Sequence, residues 1–152
     1  MSNVSIDILQ PLTRRDLTLL QEWFEDAEVH KRLEGMLPLS EWYGHVEQHP
    51  GYGVWMAFSD NKAVGIIMIE QEEDNTGSIA IVVDPLVRGK GYGKNIISRA
   101  MNLPELDRIR KWYAGIEADN TACLKCFESA GFTLEHAVPD EDGYYSLWYI
   151  ME

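Results

Sequence analysis

Residues 79–94 read IAIVVDPLVRGKGYGK. The five apolar residues 79–83 predict a short strand buried on both faces. Asp84 and Pro85 end it, and a glycine-rich stretch follows in which Arg88, Lys90 and Lys94 alternate with Gly89, Gly91 and Gly93. No acid interrupts residues 87–94, although the chain carries 25 Asp and Glu against 13 Lys and Arg and a formal net charge of -12. Glycine lets a backbone turn tightly and bring its amides close to a ligand. Beyond the glycines, Ile96, Ile97, Ala100 and Met101 fall on one helical face, and Pro104 stops the pattern after about Asn102. The first amides of a helix lack internal partners and lie at the positive end of its dipole, so strand, glycines and helix together make a phosphate site. The plainer alternative is a glycine turn with solvated cations. The preceding strand and the local reversal of charge favour phosphate.

Two common phosphate loops do not fit. A Walker A loop needs Ser or Thr after its lysine and four residues between its glycines, whereas Asn95 follows Lys94 here and the spacing differs. The dinucleotide fingerprint needs a third glycine or alanine that this stretch lacks. What remains is Arg88-x-x-Gly91-x-Gly93.

Downstream, residues 112–117 predict a strand and residues 121–130 a helix ended by Gly131, with Ala122, Cys123, Cys126, Phe127 and Ala130 on one face. Residues 132–138 and 144–150 read as a hairpin around 139–143. Upstream, residues 5–9 alternate as a first strand. Leu17, Leu20, Trp23 and Phe24 recur at helical spacing behind Thr13 as N-cap. Residues 28–50 are less regular, with a short helix expected behind a Ser40 cap. Residues 52–58 and 63–69 read as paired strands across the turn 59–62, and 74–77 as a second turn. Hairpins first and strand–helix–strand units afterwards imply a single α/β domain over residues 1–152, with a mixed sheet of about six or seven strands and helices on both faces.

The pattern resembles the GCN5-related N-acetyltransferases. Arg-x-x-Gly-x-Gly after Val83-Asp84-Pro85 is similar to that family's acetyl-CoA signature. Asn120-Thr121-Ala122, followed by Phe127 and Gly131-Phe132, is similar to its second motif. The N-terminal part, with Leu17, Glu22 and Trp23, looks more loosely like the small-molecule branch that includes the aminoglycoside 6′-N-acetyltransferases. The resemblance implies acetyl-CoA as cosubstrate, with the edge of Ile81, Val82 and Val83 pairing to its pantetheine arm. It implies Gly89, Lys90, Gly91, Tyr92, Gly93 and Lys94 around the pyrophosphate, Arg88 at its edge, and Asn120 and Phe127 beside the arm. Asn120 is equally an N-cap for the helix that follows. The implied reaction is acetyl transfer to a primary amine, with a strand amide near Val82 or Val83 facing the oxyanion.

In many family members a tyrosine stands where this chain has Phe127, and its hydroxyl protonates the leaving thiolate. Phenylalanine cannot, which leaves Tyr144, Tyr145, Cys126 or water open as the acid. The nearest candidates for a base are Glu70 and Glu72, at the end of the strand before the glycine-rich unit, and a solvated turn is their alternative role. The aromatics Trp42, Tyr43, Tyr52 and Trp55 are candidates for an acceptor pocket, which the resemblance places in residues 28–50; ordinary core is their alternative, and the expected one for Trp55 in a strand.

Other patterns carry less. Cys123 and Cys126 form a CxxC, but both fall on the apolar helix face and further metal ligands at zinc spacing are missing, so core packing is expected. His45 and His49 lie four apart without an accompanying acidic HExxH pattern. The acidic balance argues against nucleic-acid binding; by itself it reads as solubility, and it is compatible with a cationic partner. The first ten residues show no leader pattern and no run spans a bilayer, which predicts a cytoplasmic protein without membrane attachment. The resemblance adds a possible homodimer. The expected acceptor is a cationic small-molecule amine; a protein N-terminus or lysine is the alternative, and a non-catalytic CoA sensor is the rival from another class.

Overall fold

The computed structural model describes residues 5–151; the leader-free reading of the N-terminus falls partly on residues 1–4, outside them. Among the described residues seven strands form one mixed sheet in the order β1-β2-β3-β4-β5-β7-β6. The strands are β1 (Ile8–Pro11), β2 (Tyr52–Ser59), β3 (Lys62–Gln71), β4 (Thr76–Val83), β5 (Lys111–Glu117), β6 (Thr133–Leu134) and β7 (Tyr144–Ile150). The helices are α1 (Leu17–Trp23), α2 (Ala27–Leu33), α3 (Leu39–Gln48), α4 (Tyr92–Met101) and α5 (Thr121–Ser129). No helix among them is long and apolar enough to cross a membrane.

Strand alternation sends side chains to two cores. Leu20, Trp23, Val29 and Tyr43 from α1, α2 and α3 pack on Val54, Met56, Ile66, Met68 and Val82. On the opposite face, Ile96, Ile97 and Ala100 of α4 and Phe127 of α5 pack on Ile67, Ile69, Ile79, Trp112 and Leu147. The expected two-sided α/β arrangement is present.

β3 and β4 pair at seven consecutive positions, from Gly65↔Val83 to Gln71↔Gly77. β4 and β5 are parallel and pair at three positions, Thr76↔Lys111, Gly77↔Trp112 and Ser78↔Tyr113. Beyond Ser78 they part, because β5 follows β7, to which it pairs from Lys111↔Ile150 to Glu117↔Tyr144. The sheet therefore splits at its centre. This corrects the expectation that residues 79–83 are buried on both faces: Ala80 is exposed, and Ile81 and Val83 are half-buried.

Several boundaries differ from the sequence reading, each for a tertiary reason. The first strand is Ile8–Pro11 rather than 5–9, because its limits are set by pairing with Trp55–Phe58 of β2. Thr13 is an N-cap as expected, but of a 3-10 turn, Arg14–Asp16, that leads into α1; its N–H donates to Asp16 Oδ2 at 2.8 Å. α3 begins at Leu39, with Pro38 in the N-cap position and Ser40 already in the first turn. The irregular segment contains α2, whose N-cap Asp26 accepts from the amides of Glu28 and Val29 at 3.1 Å each. The strand expected over 132–138 shrinks to Thr133–Leu134, and the following residues are exposed up to Gly143.

Candidate active site

The split between β4 and β5 opens a cleft of about 610 Å³. One wall is the outer edge of β4: Ile79, Ala80, Ile81, Val82 and Val83 all line it, and β5 offers no strand partner there. That edge leads into the glycine loop, where Arg88, Gly89, Gly91, Tyr92 and Gly93 also line the cleft. Lys90 and Lys94 are exposed beside the loop and do not line it.

Backbone conformation explains the glycines. Gly89 and Gly91 have φ of 76° and 91°, and Gly91 is the N-cap of α4. A side chain at Gly91 would meet open space, so the requirement there is for left-handed backbone, which L-residues adopt at a cost. Gly93 serves packing instead: a methyl group there would lie 2.6 Å from Cys126 Sγ, where α4 crosses α5.

The opposite wall comes from Gly115, Ile116 and Glu117 of β5 and from α5, with Asn120, Ala122, Cys123, Cys126 and Phe127. Asn120 caps α5 through the amide of Cys123 at 3.3 Å. Phe127 is 1% exposed and meets Phe132 edge-on, with ring centroids 5.0 Å apart. The cysteines are unpaired, half-buried and shared between cleft and core, so the expected packing role is one of two they fill. Burial, reinforced by Cys126, pushes the Cys123 thiol up to about 12, and burial raises Cys126 too. Both keep their protons at neutral pH, which disfavours a thiolate nucleophile.

The third side lies in the segment 28–50 expected to hold the acceptor, on residues that the sequence reading did not single out. Glu28, Val29, Arg32 and Leu33 of α2 line the cleft. Arg32, 11% exposed in its side chain, contacts Glu28 at 2.8 Å, Glu117 at 3.0 Å and Asp119 at 2.7 Å. At the other end of α2, Asp26 pairs with Arg88. The helix thus spans from the glycine loop to the end of β5. Its local signals were an Asp cap at position 26 and a Glu28–Arg32 pair four residues apart.

Glu70 and Glu72 do not line the cleft. They sit at the root of the split: Glu70 pairs across strands with Ser78, and Glu72 Oε1 accepts from Ser78 Oγ at 3.1 Å. By strand parity Glu70 and Ser78 lie on the face of Ile66 and Met68, level with Tyr113 on β5. Tyr113 stacks obliquely on Trp148 at 5.0 Å, and its hydroxyl lies 3.3 Å from Ser146 Oγ. Tyr144 lines the mouth of the cleft, whereas Tyr145 packs on the core behind the sheet. Tyr52 hydrogen-bonds Trp42 Nε1 at 3.4 Å, and Trp55 belongs to the core under α4 and α5. His45 and His49 stack at 3.8 Å, and the described residues hold no cluster of three or more His, Cys, Asp or Glu suited to a metal.

Comparison with known proteins identifies the arrangement. The sequence profile of the acetyltransferase (GNAT) family matches residues 17–132. An uncharacterized N-acetyltransferase of Bacillus subtilis (strain 168), YfmK, is 43% identical over 143 residues, which cover 94% of this chain and 96% of that protein. Among solved structures, the aminoglycoside acetyltransferase AAC(6')-Ib in complex with paromomycin and acetyl-CoA superimposes with a TM-score of 0.82 at 19% identity, covering 97% of this chain and 94% of the other. Spermidine N-acetyltransferase from Vibrio cholerae, in complex with CoA and spermine, gives 0.81 at 18% identity, covering 98% and 97%. From the split sheet, the glycine loop at its mouth and these likenesses together, the chain belongs to the acetyltransferase (GNAT) family.

Proposed function

We propose that the protein transfers the acetyl group of acetyl-CoA to a primary amine on a cationic small molecule. The observation that carries this reading is the split itself: an unpaired strand edge runs straight into a left-handed glycine loop and a helix N-terminus. The residues fit the cosubstrate. The edge of residues 79–83 offers amides and carbonyls to a pantetheine arm, as a sheet edge does to an added strand. The amides around Gly89, Gly91 and Gly93, with Arg88 beside them, suit a diphosphate. Lys90 and Lys94 would act from outside, as charge in solvent.

The acceptor approaches from the face of Ser78, Ala80 and Tyr113. Glu28, Glu117 and Asp119 gather at one end of that approach, with Glu70 and Glu72 at the other. Aromatic faces of Tyr113 and Trp148 lie level with Glu70 across the split. Carboxylates and aromatic faces both attract ammonium groups. The structural relatives that hold paromomycin and spermine support the same class of acceptor.

In the reaction an ammonium first gives a proton to a base. Glu70 serves, through water, since Ala80 on the cleft lies two residues beyond its partner Ser78, roughly 7 Å along the strand. The free amine forms a bond to the thioester carbon and an amide of the β4 edge donates to the oxyanion; the carbon–sulfur bond then breaks, the sulfur leaves as thiolate, and the nitrogen gives its second proton to water. Phe127 gives the departing thiolate no proton. Tyr144 at the mouth is the hydroxyl best placed to do so, since Glu117 is paired with Arg32 at 3.0 Å.

The test is acetyl transfer from acetyl-CoA to aminoglycosides, polyamines, amino acids and short peptides, read by product mass. An acetylated polyamine or aminoglycoside is the expected product, and Glu70→Gln should then lower kcat about 10²-fold or more with little change in acetyl-CoA affinity. Products from peptides alone would exclude the small-molecule acceptor. A second reading, a CoA sensor without turnover, rests on the missing hydroxyl at Phe127; acetyl-CoA bound and left intact with every amine would establish it.

A further inference from the structure

Arg88 ends the segment before Gly89 and lines the cleft where the glycine loop begins. Its guanidinium does not project freely. It meets the carboxylate of Asp26 end-on, with NH2 donating to Oδ2 and NH1 donating to Oδ1 at 3.3 Å. Two terminal nitrogens on two carboxylate oxygens is the fork geometry that an arginine also offers to phosphate. The same Asp26 carboxylate accepts from the first amides of α2, so it is fixed in place by the helix. The Arg88 guanidinium holds its carboxyl below the usual carboxylate range, so it is ionised at neutral pH.

We propose that Asp26 is an internal stand-in for phosphate: it occupies the fork of Arg88 until the diphosphate of the cosubstrate displaces it. This rests on the reading of the glycine loop as a diphosphate site. The carboxylate then competes with the ligand for Arg88. It lowers cosubstrate affinity and makes Asp26 a positioning residue of that site, although it lies on α2, outside both sequence motifs. Arg88 and Asp26 are each partly exposed, with 42% and 27% of their side chains accessible, so an incoming anion reaches the pair without unfolding anything.

Asp26→Asn separates this role from a structural one, because asparagine caps a helix about as well as aspartate but has no charge to hold the guanidinium. Acetyl-CoA is titrated onto the wild type, Asp26→Asn, Arg88→Gln and the double variant at low salt. S-acetylpantetheine, which lacks the diphosphate, is run as a competitor. Asp26→Asn should bind acetyl-CoA about threefold to fivefold more tightly, the scale of an exposed arginine–carboxylate pair. S-acetylpantetheine should bind both proteins alike, and in the Arg88→Gln background the Asp26 substitution should change nothing. Unchanged or weaker acetyl-CoA binding by Asp26→Asn overturns the proposal. Equal tightening with Arg88→Gln also overturns it, since the effect would then be a general field. If Asp26→Asn melts well below the wild type, Asp26→Ser supplies a second uncharged cap for the same comparison. Failure of the wild type to bind acetyl-CoA would sink the functional reading together with this one, whereas binding without an Asp26 effect sinks this one alone.

Discussion

The β4–α4 wall and the α2 wall of the cleft are built by different means. The first is made of backbone: an unpaired strand edge, two glycines in left-handed conformation and the free amides of a helix. The second is made of side-chain charge. α2 is held at one end by Asp26–Arg88, separated by 62 positions in the chain, and at the other by Arg32–Asp119, separated by 87. A backbone site is dictated locally and tolerates little substitution. A charge-built wall depends on distant partners and can be retuned one residue at a time.

Three substitutions can break or sharpen that contrast. The largest effect is expected from Gly91→Val. A β-branched residue at φ 91° is strained, and its side chain would fill the open space beside the loop. Acetyl-CoA affinity should fall at least about 100-fold, or roughly 2.7 kcal/mol, by calorimetry. A loss below tenfold would mean that the loop's conformation is not what binds the ligand.

Gly93→Ala should act on stability instead. Its methyl group would press on Cys126 Sγ from 2.6 Å, and overpacking of this kind costs about 1–3 kcal/mol. Cys126→Ala should restore most of that in the double variant, measured by urea unfolding. Independent, additive effects would show that α4 and α5 do not meet through this pair.

The smallest change is expected on the charge-built side. Arg32→Met keeps much of the side chain's bulk but removes the cation shared by Glu28, Glu117 and Asp119, and leaves Asp119 with Lys31 alone at 3.4 Å. The KM for a cationic acceptor should drop about threefold at low salt, and the effect should fade as salt screens it. The KM for acetyl-CoA should stay within about twofold. Equal changes in both would erase the distinction between the walls.

The same contrast explains what the chain disclosed before folding. Gly91, Asn120 and the apolar periodicities of α4 and α5 are local, so the glycine loop, the cap of α5 and the two-sided sheet could be read directly. The split of the sheet could not. Residues 79–83 look fully apolar, and the exposed Ala80 follows from β5 pairing with β7, which no residue of β4 encodes. α2 carried a cap and an ion pair four residues apart, but its place across the cleft depends on Arg88, Glu117 and Asp119. Glu70 and Glu72 were conspicuous as acids near the strand end. Their position at the root of the split follows from a cross-strand register that sequence does not state.

The three-position contact between β4 and β5 has a thermodynamic side. A sheet that parts at its centre is short of one strand, and in the proposed binding mode the cosubstrate arm would replace it. Its ligand is then a folding partner as well as a reactant. At a hundredfold excess over Kd, a ligand that binds only the folded chain stabilises it by about 2.7 kcal/mol, roughly 5–10 °C in melting temperature for a protein of this size. The lifetime of the molecule against unfolding and proteolysis would therefore follow the supply of the acetyl donor it consumes.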